Sequence, residues 1–229
     1  MEYGRDVITV DGLAASGKSA LAKGLAAVLG YGHLNSGLLY RAVALIALRD
    51  KVALTDQVAV VNAMNQHSIV LTVDPTGASA VAIDGVTHVD ELSATEVSSG
   101  ASLVARHQQV RDLLLKPQRE AFEPGGVVAE GRDMGTVIFP AARVKFFVVA
   151  RLEVRAARRY QQLLGTPQES SLQSIIKDLE ERDKRDSSSS VGTMKQAQGA
   201  LLIDNSDQSL PDVLAHMVQA VNAAPRSLR

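Results

Sequence analysis

The chain has 229 residues, 46% hydrophobic and 21% charged, which is enough apolar material for a sizeable core in one or two domains. Its 24 Lys and Arg stand against 25 Asp and Glu, which excludes a bulk field that would draw nucleic acid or an anionic membrane; any anion-binding surface must be local. There is no cysteine, so disulfides and thiolate-metal sites are excluded and a cytoplasmic address is the default expectation.

Met1 to Asp6 carries charges and leads into an apolar run too short for a signal-peptide core or a membrane span. That run, Val7-Ile8-Thr9-Val10, is β-branched and stops at Asp11-Gly12; after a small-residue loop, Ala20 to Leu29 is helix-forming. Ile69 to Val73 and Ala80 to Ile83 flank the turn-rich Asp74-Pro75-Thr76-Gly77 and predict a hairpin, so residues 55–100 are expected to be an appendage on the core. Further apolar runs at Val127 to Ala129, Val144 to Ala150 and Ala200 to Ile203 read as strands. Between and after them, Glu153 to Leu164 and Leu210 to Ala223 read as helices. Strands alternating with helices predict an α/β fold, a three-layer architecture with a parallel sheet covered on both faces. Ser187 to Ser190 follows a charged helical stretch and is expected to be a mobile loop or hinge.

Gly12-Leu13-Ala14-Ala15-Ser16-Gly17-Lys18-Ser19 fits G-x-x-x-x-G-K-[ST], and it lies directly between a predicted strand and a predicted helix. The glycines let backbone N–H groups curl toward an anion at a helix N-terminus. On this pattern all eight residues bind ATP or GTP, Lys18 reaches the β- and γ-phosphates, and the Ser19 hydroxyl ligates Mg2+ that arrives with the nucleotide. The loop alone does not name the acceptor, because the same device serves many activities.

A GTPase needs a base-reading Asn-Lys-x-Asp and a motor or transport ATPase a long strand carrying its second acidic motif; neither stands in this sequence. Clusters of arginine do: Arg41, Arg111, Arg132, then Arg151, Arg155, Arg158 and Arg159, then Arg182 and Arg185. Transfer between two phosphates needs such groups, because donor and acceptor are both anionic and must be held in line. Arginine's bidentate geometry suits that task.

Four segments taken together resemble the bacterial cytidylate kinases: Gly12 to Ser19, Ser36-Gly37-Leu38-Leu39-Tyr40-Arg41, Gly131-Arg132-Asp133-Met134-Gly135-Thr136-Val137, and Glu181-Arg182-Asp183-Lys184-Arg185-Asp186. The resemblance covers nearly the whole chain. It implies a P-loop kinase core, a monophosphate-binding insert near residues 55–100 and an arginine-rich helical lid near 153–190. It also implies transfer of the γ-phosphoryl of MgATP to CMP or dCMP. Ser36, Arg41 and Arg132 would then hold the acceptor phosphate; Ser102, Arg111 and Asp133 would read cytosine; Arg182 and Asp186 would contact sugar hydroxyls and phosphates. Lys18, Arg132 and Arg182 would carry the catalytic charge, and Arg155, Arg158 and Arg159 lid duty on ATP. Asp133 suits its part because cytosine presents an amino donor that a carboxylate can accept. Nucleotides are the partners so implied, with no nucleic acid or membrane, and a monomer is expected.

The sequence departs from the family at Leu13, where a proline is usual, at Asn35, where Asp is common, and after Asp186, where Ser187 to Ser190 replaces a segment with a further arginine. Such a loss is expected to weaken acceptor binding by about 1–3 kcal/mol. The alternatives kept open are a P-loop kinase for another acceptor, such as UMP or AMP, and a nucleotide-binding module with little activity. Asp11 and Glu130 read either as solvated strand ends or as a water-mediated magnesium contact, and Tyr40 as packing.

Overall fold

Val7, Ile8, Thr9 and Val10 are all buried, as a β-branched strand covered on both faces must be. In the computed structural model, which describes residues 5–73, 79–121, 125–188, 191–192 and 194–225, they open β1 (Val7–Gly12). β1 is the central strand of a five-stranded sheet that also contains β2 (Gly32–Asn35), β6 (Val127–Gly131), β7 (Val144–Val149) and β8 (Leu201–Asp204). The order is β2-β6-β1-β7-β8 and every pairing is parallel. All five strands therefore end on the same edge of the sheet, where α/β folds bind ligands.

Alternation within the strands divides the core. Ile8, Val10, Val128, Phe146 and Val148 pack with Leu21 and Leu25 of α1 (Lys18–Leu29) and with Val213 and Met217 of α9 (Leu210–Ala223). Val7, Leu34, Val127 and Ala129 face the other way, onto Met134, Ile138 and Phe139. Met134–Ile138 is a single π-helical turn: Ile138 N donates to Asp133 O at 3.2 Å and Phe139 N to Met134 O at 2.6 Å.

The second sheet is antiparallel, with order β3-β4-β5, where β3 is Ile69–Val73, β4 is Ser79–Ile83 and β5 is Val86–Thr87. The predicted turn at 74–77 lies outside the described residues. The core beneath this sheet is built on α2 (Gly37–Arg49) and includes Val60 of α3 (Gln57–Met64), Leu92 of α4 (Val89–Ser93), Val97 and Ala101 of α5 (Thr95–Val104), and Val110 and Leu114 of α6 (Gln108–Glu120). α2 thus starts at the edge of the parallel sheet, and its length lies in the core of the second sheet.

α7 (Leu152–Leu163) and α8 (Leu172–Ser188) pack through Ala156, Leu163, Ile175 and Leu179 beside Ala14 of the glycine loop. The expected loop at Ser187 to Ser190 needs correcting in its first half. Ser187 and Ser188 continue α8, whose register the Arg132–Asp186 ion pair anchors one residue before them, at 2.8 Å. Ser189 and Ser190 lie outside the described residues.

Candidate active site

The loop after β1 meets its neighbours at distances only glycine permits. A Cβ on Gly12 would lie 2.1 Å from the carbonyl oxygen of Val148, so the strand and loop touch backbone to backbone. Ala15 holds φ 57° and Gly17 φ 89°, and these two left-handed residues curl the loop before α1 begins at Lys18. At the far end of the sheet edge, Asn205 donates to Ser16 O at 2.7 Å and accepts from Arg158 at 2.9 Å; Arg158 also donates to Ser16 O at 3.3 Å. Arg155 is buried and donates to Ala14 O, to Ala150 O and to the carboxylate of Asp183, the last at 2.7 Å. Arg155 and Arg158 therefore brace the loop from α7. Arg159 reaches the cavity itself, and burial lowers its pKa.

Inside the curl, Lys18 Nζ donates to Leu13 O at 3.2 Å. Burial, with Arg132 close by, pushes its pKa down from 10.5 to about 7. Ser19 Oγ donates to Glu130 Oε2 at 2.6 Å, and His33 Nε2 lies 3.1 Å from Glu130 Oε1. Burial opposes charge on Glu130, yet the His33 hydrogen bond, Lys18 and the Ser19 hydroxyl hold its carboxyl below the usual range.

Asp11 and Glu130, for which the sequence left open a solvated strand end or a water-mediated magnesium contact, are 2% and 1% exposed, so the first of these does not hold. Asp11 accepts from the amides of Met134 and Gly135, both at 2.8 Å, so it caps the π-helical turn rather than meeting solvent. Burial still outweighs those bonds and raises its pKa to about 6.

A cavity of about 600 Å³ beside the loop is lined by residues the sequence singled out on several different elements. Ser36, just before α2, donates to Glu130 O at 2.8 Å. Arg41 on α2 and Arg182 on α8 both donate to Ser98 Oγ, at 3.3 and 3.2 Å. Arg132 pairs with Asp186. Burial, with Arg159 and Arg132 near, lowers the pKa of Arg41; burial and then Arg132 push that of Arg182 down to about 10. Burial is the larger cause for both, and the neighbouring arginines add to it, so positive charge is gathered locally in a chain whose net charge is −1.

Deeper in the same cavity, Arg111 of α6 is ion-paired with Asp133, both nearly buried, and its guanidinium lies 5.7 Å from the ring centroid of Tyr40. Ser102 Oγ donates to Ser99 O at 2.8 Å, so its hydroxyl is turned onto its own helix. Tyr40 belongs to the core beneath the second sheet. Sequence reasoning missed Ser98, His33 and Asn205. Ser98 and His33 sit in unremarkable local patterns; Asn205, directly after an apolar run, had the position of a strand-end ligand but no motif around it.

The description of the family model that matches residues 8–223 is cytidylate kinase. Among similar proteins are a cytidylate kinase of Desulforamulus reducens, 37% identical over 92% of this chain and 94% of the relative, and one of Azotobacter vinelandii, 38% identical over 95% of each. The cytidylate kinase of Bacillus subtilis is 34% identical, over 96% of this chain and 97% of its own length.

Proposed function

This chain belongs to the cytidylate kinase family, and from that premise we propose that it transfers the γ-phosphoryl group of MgATP to CMP or dCMP, giving the diphosphate and ADP. The observation that carries the reading is the meeting of Arg41, Arg132, Arg159 and Arg182 with Lys18 and the glycine loop in one cavity. A loop for one phosphate chain faces cations for a second, and transfer between them needs no covalent enzyme intermediate.

In this reading ATP lies with its phosphates over Gly12 to Ser19, and Lys18 regains full charge when the β- and γ-phosphates arrive. Ser19 and Glu130 present a hydroxyl and a carboxylate at the loop mouth, hard oxygen donors that suit magnesium. Bound there with ATP, magnesium supplies charge neutralisation of the phosphate oxygens. Ser36, Arg41 and Arg132 hold the acceptor phosphate, while Arg182 stands between donor and acceptor, and Asp186 orients Arg132 and meets the sugar hydroxyls. The Arg111–Asp133 pair is exchanged for the base: Asp133 accepts from the cytosine amino group, Arg111 donates to the N3/O2 edge, and Ser102 turns from Ser99 to join them. α7 and α8 close as a lid over residues 153–190 and exclude water. The protein works in the cytoplasm, as a monomer.

Chromatography of a reaction containing the protein, MgATP and CMP will show CDP and ADP formed in equal amounts. ADP without CDP would mean hydrolysis and would contradict a transfer function.

A further inference from the structure

Resting on the acceptor reading above, we infer that Ser98 binds the phosphate of the acceptor monophosphate. α5 carries Ser98, Ala101 and Ser102 along one stripe at helical spacing, continued by Ala105 just past its end, and all four line the cavity. The family resemblance gives Ser102 to the base, and its hydroxyl lies toward Ser99 O at 2.8 Å. Ser98 is placed differently. Its Oγ is the common acceptor for Arg41 of α2 and Arg182 of α8, two guanidiniums that come from separate elements and meet on this one atom.

A serine hydroxyl has two lone pairs and one proton. Both arginines donate to Ser98, so the lone pairs are used and the proton is left over; no acceptor takes it among the described residues. Ser98 is only 7% exposed, and it lines the cavity. The surrounding charge fixes what can accept it. Arg41 and Arg182 both bring guanidiniums to this point, and the Nε of Arg182 is a further buried donor with no partner among the described residues. A neutral O–H flanked by two guanidiniums suits a phosphomonoester, whose three terminal oxygens can take one bond from each. A base or a sugar hydroxyl has no such set of acceptors. Ser98 also sets the separation of the two guanidiniums before the phosphate arrives, which lowers the cost of ordering them on binding.

The test compares CMP with cytidine, which differs only by the phosphate. Alanine is the better helix former, so Ser98→Ala should keep the fold, to be checked by thermal melting. By competition titration the variant is expected to bind CMP about tenfold more weakly while its affinities for cytidine and for MgATP stay at wild-type values. Unchanged CMP affinity would overturn the proposal. Equal losses for CMP and cytidine would make Ser98 a packing residue, and a loss confined to MgATP would put it on the donor side; either overturns it. Wild-type protein that bound CMP no better than cytidine would instead break the acceptor reading, and this assignment with it.

Discussion

Replacing Lys18 with methionine will lower turnover by about 10²–10³-fold and, in the same protein, raise the melting temperature. The first effect follows from removing the cation that the loop presents to the phosphates being separated. The second follows from what the free protein endures to keep it there: burial pushes the pKa of Lys18 from 10.5 to about 7. A methionine keeps the apolar stem and removes the charge. The cost relieved is on the order of 4 kcal/mol at neutral pH, which corresponds to a gain of about 5 °C or more. The sign with pH is fixed. The folded protein holds this proton less tightly than the unfolded chain, so the penalty is fully present below about pH 7 and is relieved as pH rises toward 10.5. The melting advantage of the variant should therefore shrink between pH 7 and pH 10. Calorimetric melts at several pH values, with single-turnover rates at one, check both effects. A variant with near-normal turnover, or one melting below the wild type at pH 7, would contradict the account.

Exchanging Asp133 for asparagine will relax the choice of base. The carboxylate can only accept, which favours the amino group of cytosine; a carboxamide can also donate, and so can face the carbonyl that uracil offers there. The ratio of kcat/KM for CMP to that for UMP should fall by about ten- to a hundredfold. Asparagine is the informative replacement. Asp133 and Arg111 are a nearly buried ion pair, and truncation to alanine would strand the guanidinium at a cost of about 3–5 kcal/mol, confusing loss of fold with loss of recognition. Steady-state rates with the two acceptors measure the ratio, and an unchanged value would remove Asp133 from base reading.

The parts legible in the sequence are those made by neighbours in the chain. Gly12 to Ser19 form their curl from contiguous residues, so spacing alone announces it, and the β-branched Val7 to Val10 announces the strand before it. β2 is different: Gly32, His33, Leu34 and Asn35 hold a single aliphatic residue, and their extended form comes from pairing with β6 rather than from local preference. The π-helical turn at Met134–Ile138 likewise depends on a carboxylate more than a hundred residues earlier, Asp11. Four serines read as a loop, yet two of them lengthen α8, because the helix that the Arg132–Asp186 pair anchors just before them runs on through residues of weak helix preference. In the site, the arginines were visible, and the family resemblance put Arg41 and Arg132 together, but the side chain that joins Arg41 to Arg182 was not. Arg41 and Arg182 are joined by Ser98, a residue that nothing in its neighbourhood distinguishes.

The central claim is a single cavity in which a phosphate chain and a cytidine monophosphate are held for direct transfer. Its most direct test is ADP formation from MgATP with CMP, dCMP, UMP, AMP or no acceptor, compared as kcat/KM. The account predicts fast turnover with CMP and dCMP, much slower turnover with UMP and AMP, and almost none without an acceptor. Preference for UMP or AMP would contradict the base-reading roles of Ser102, Arg111 and Asp133, and ATP binding without turnover on any acceptor would contradict transfer itself.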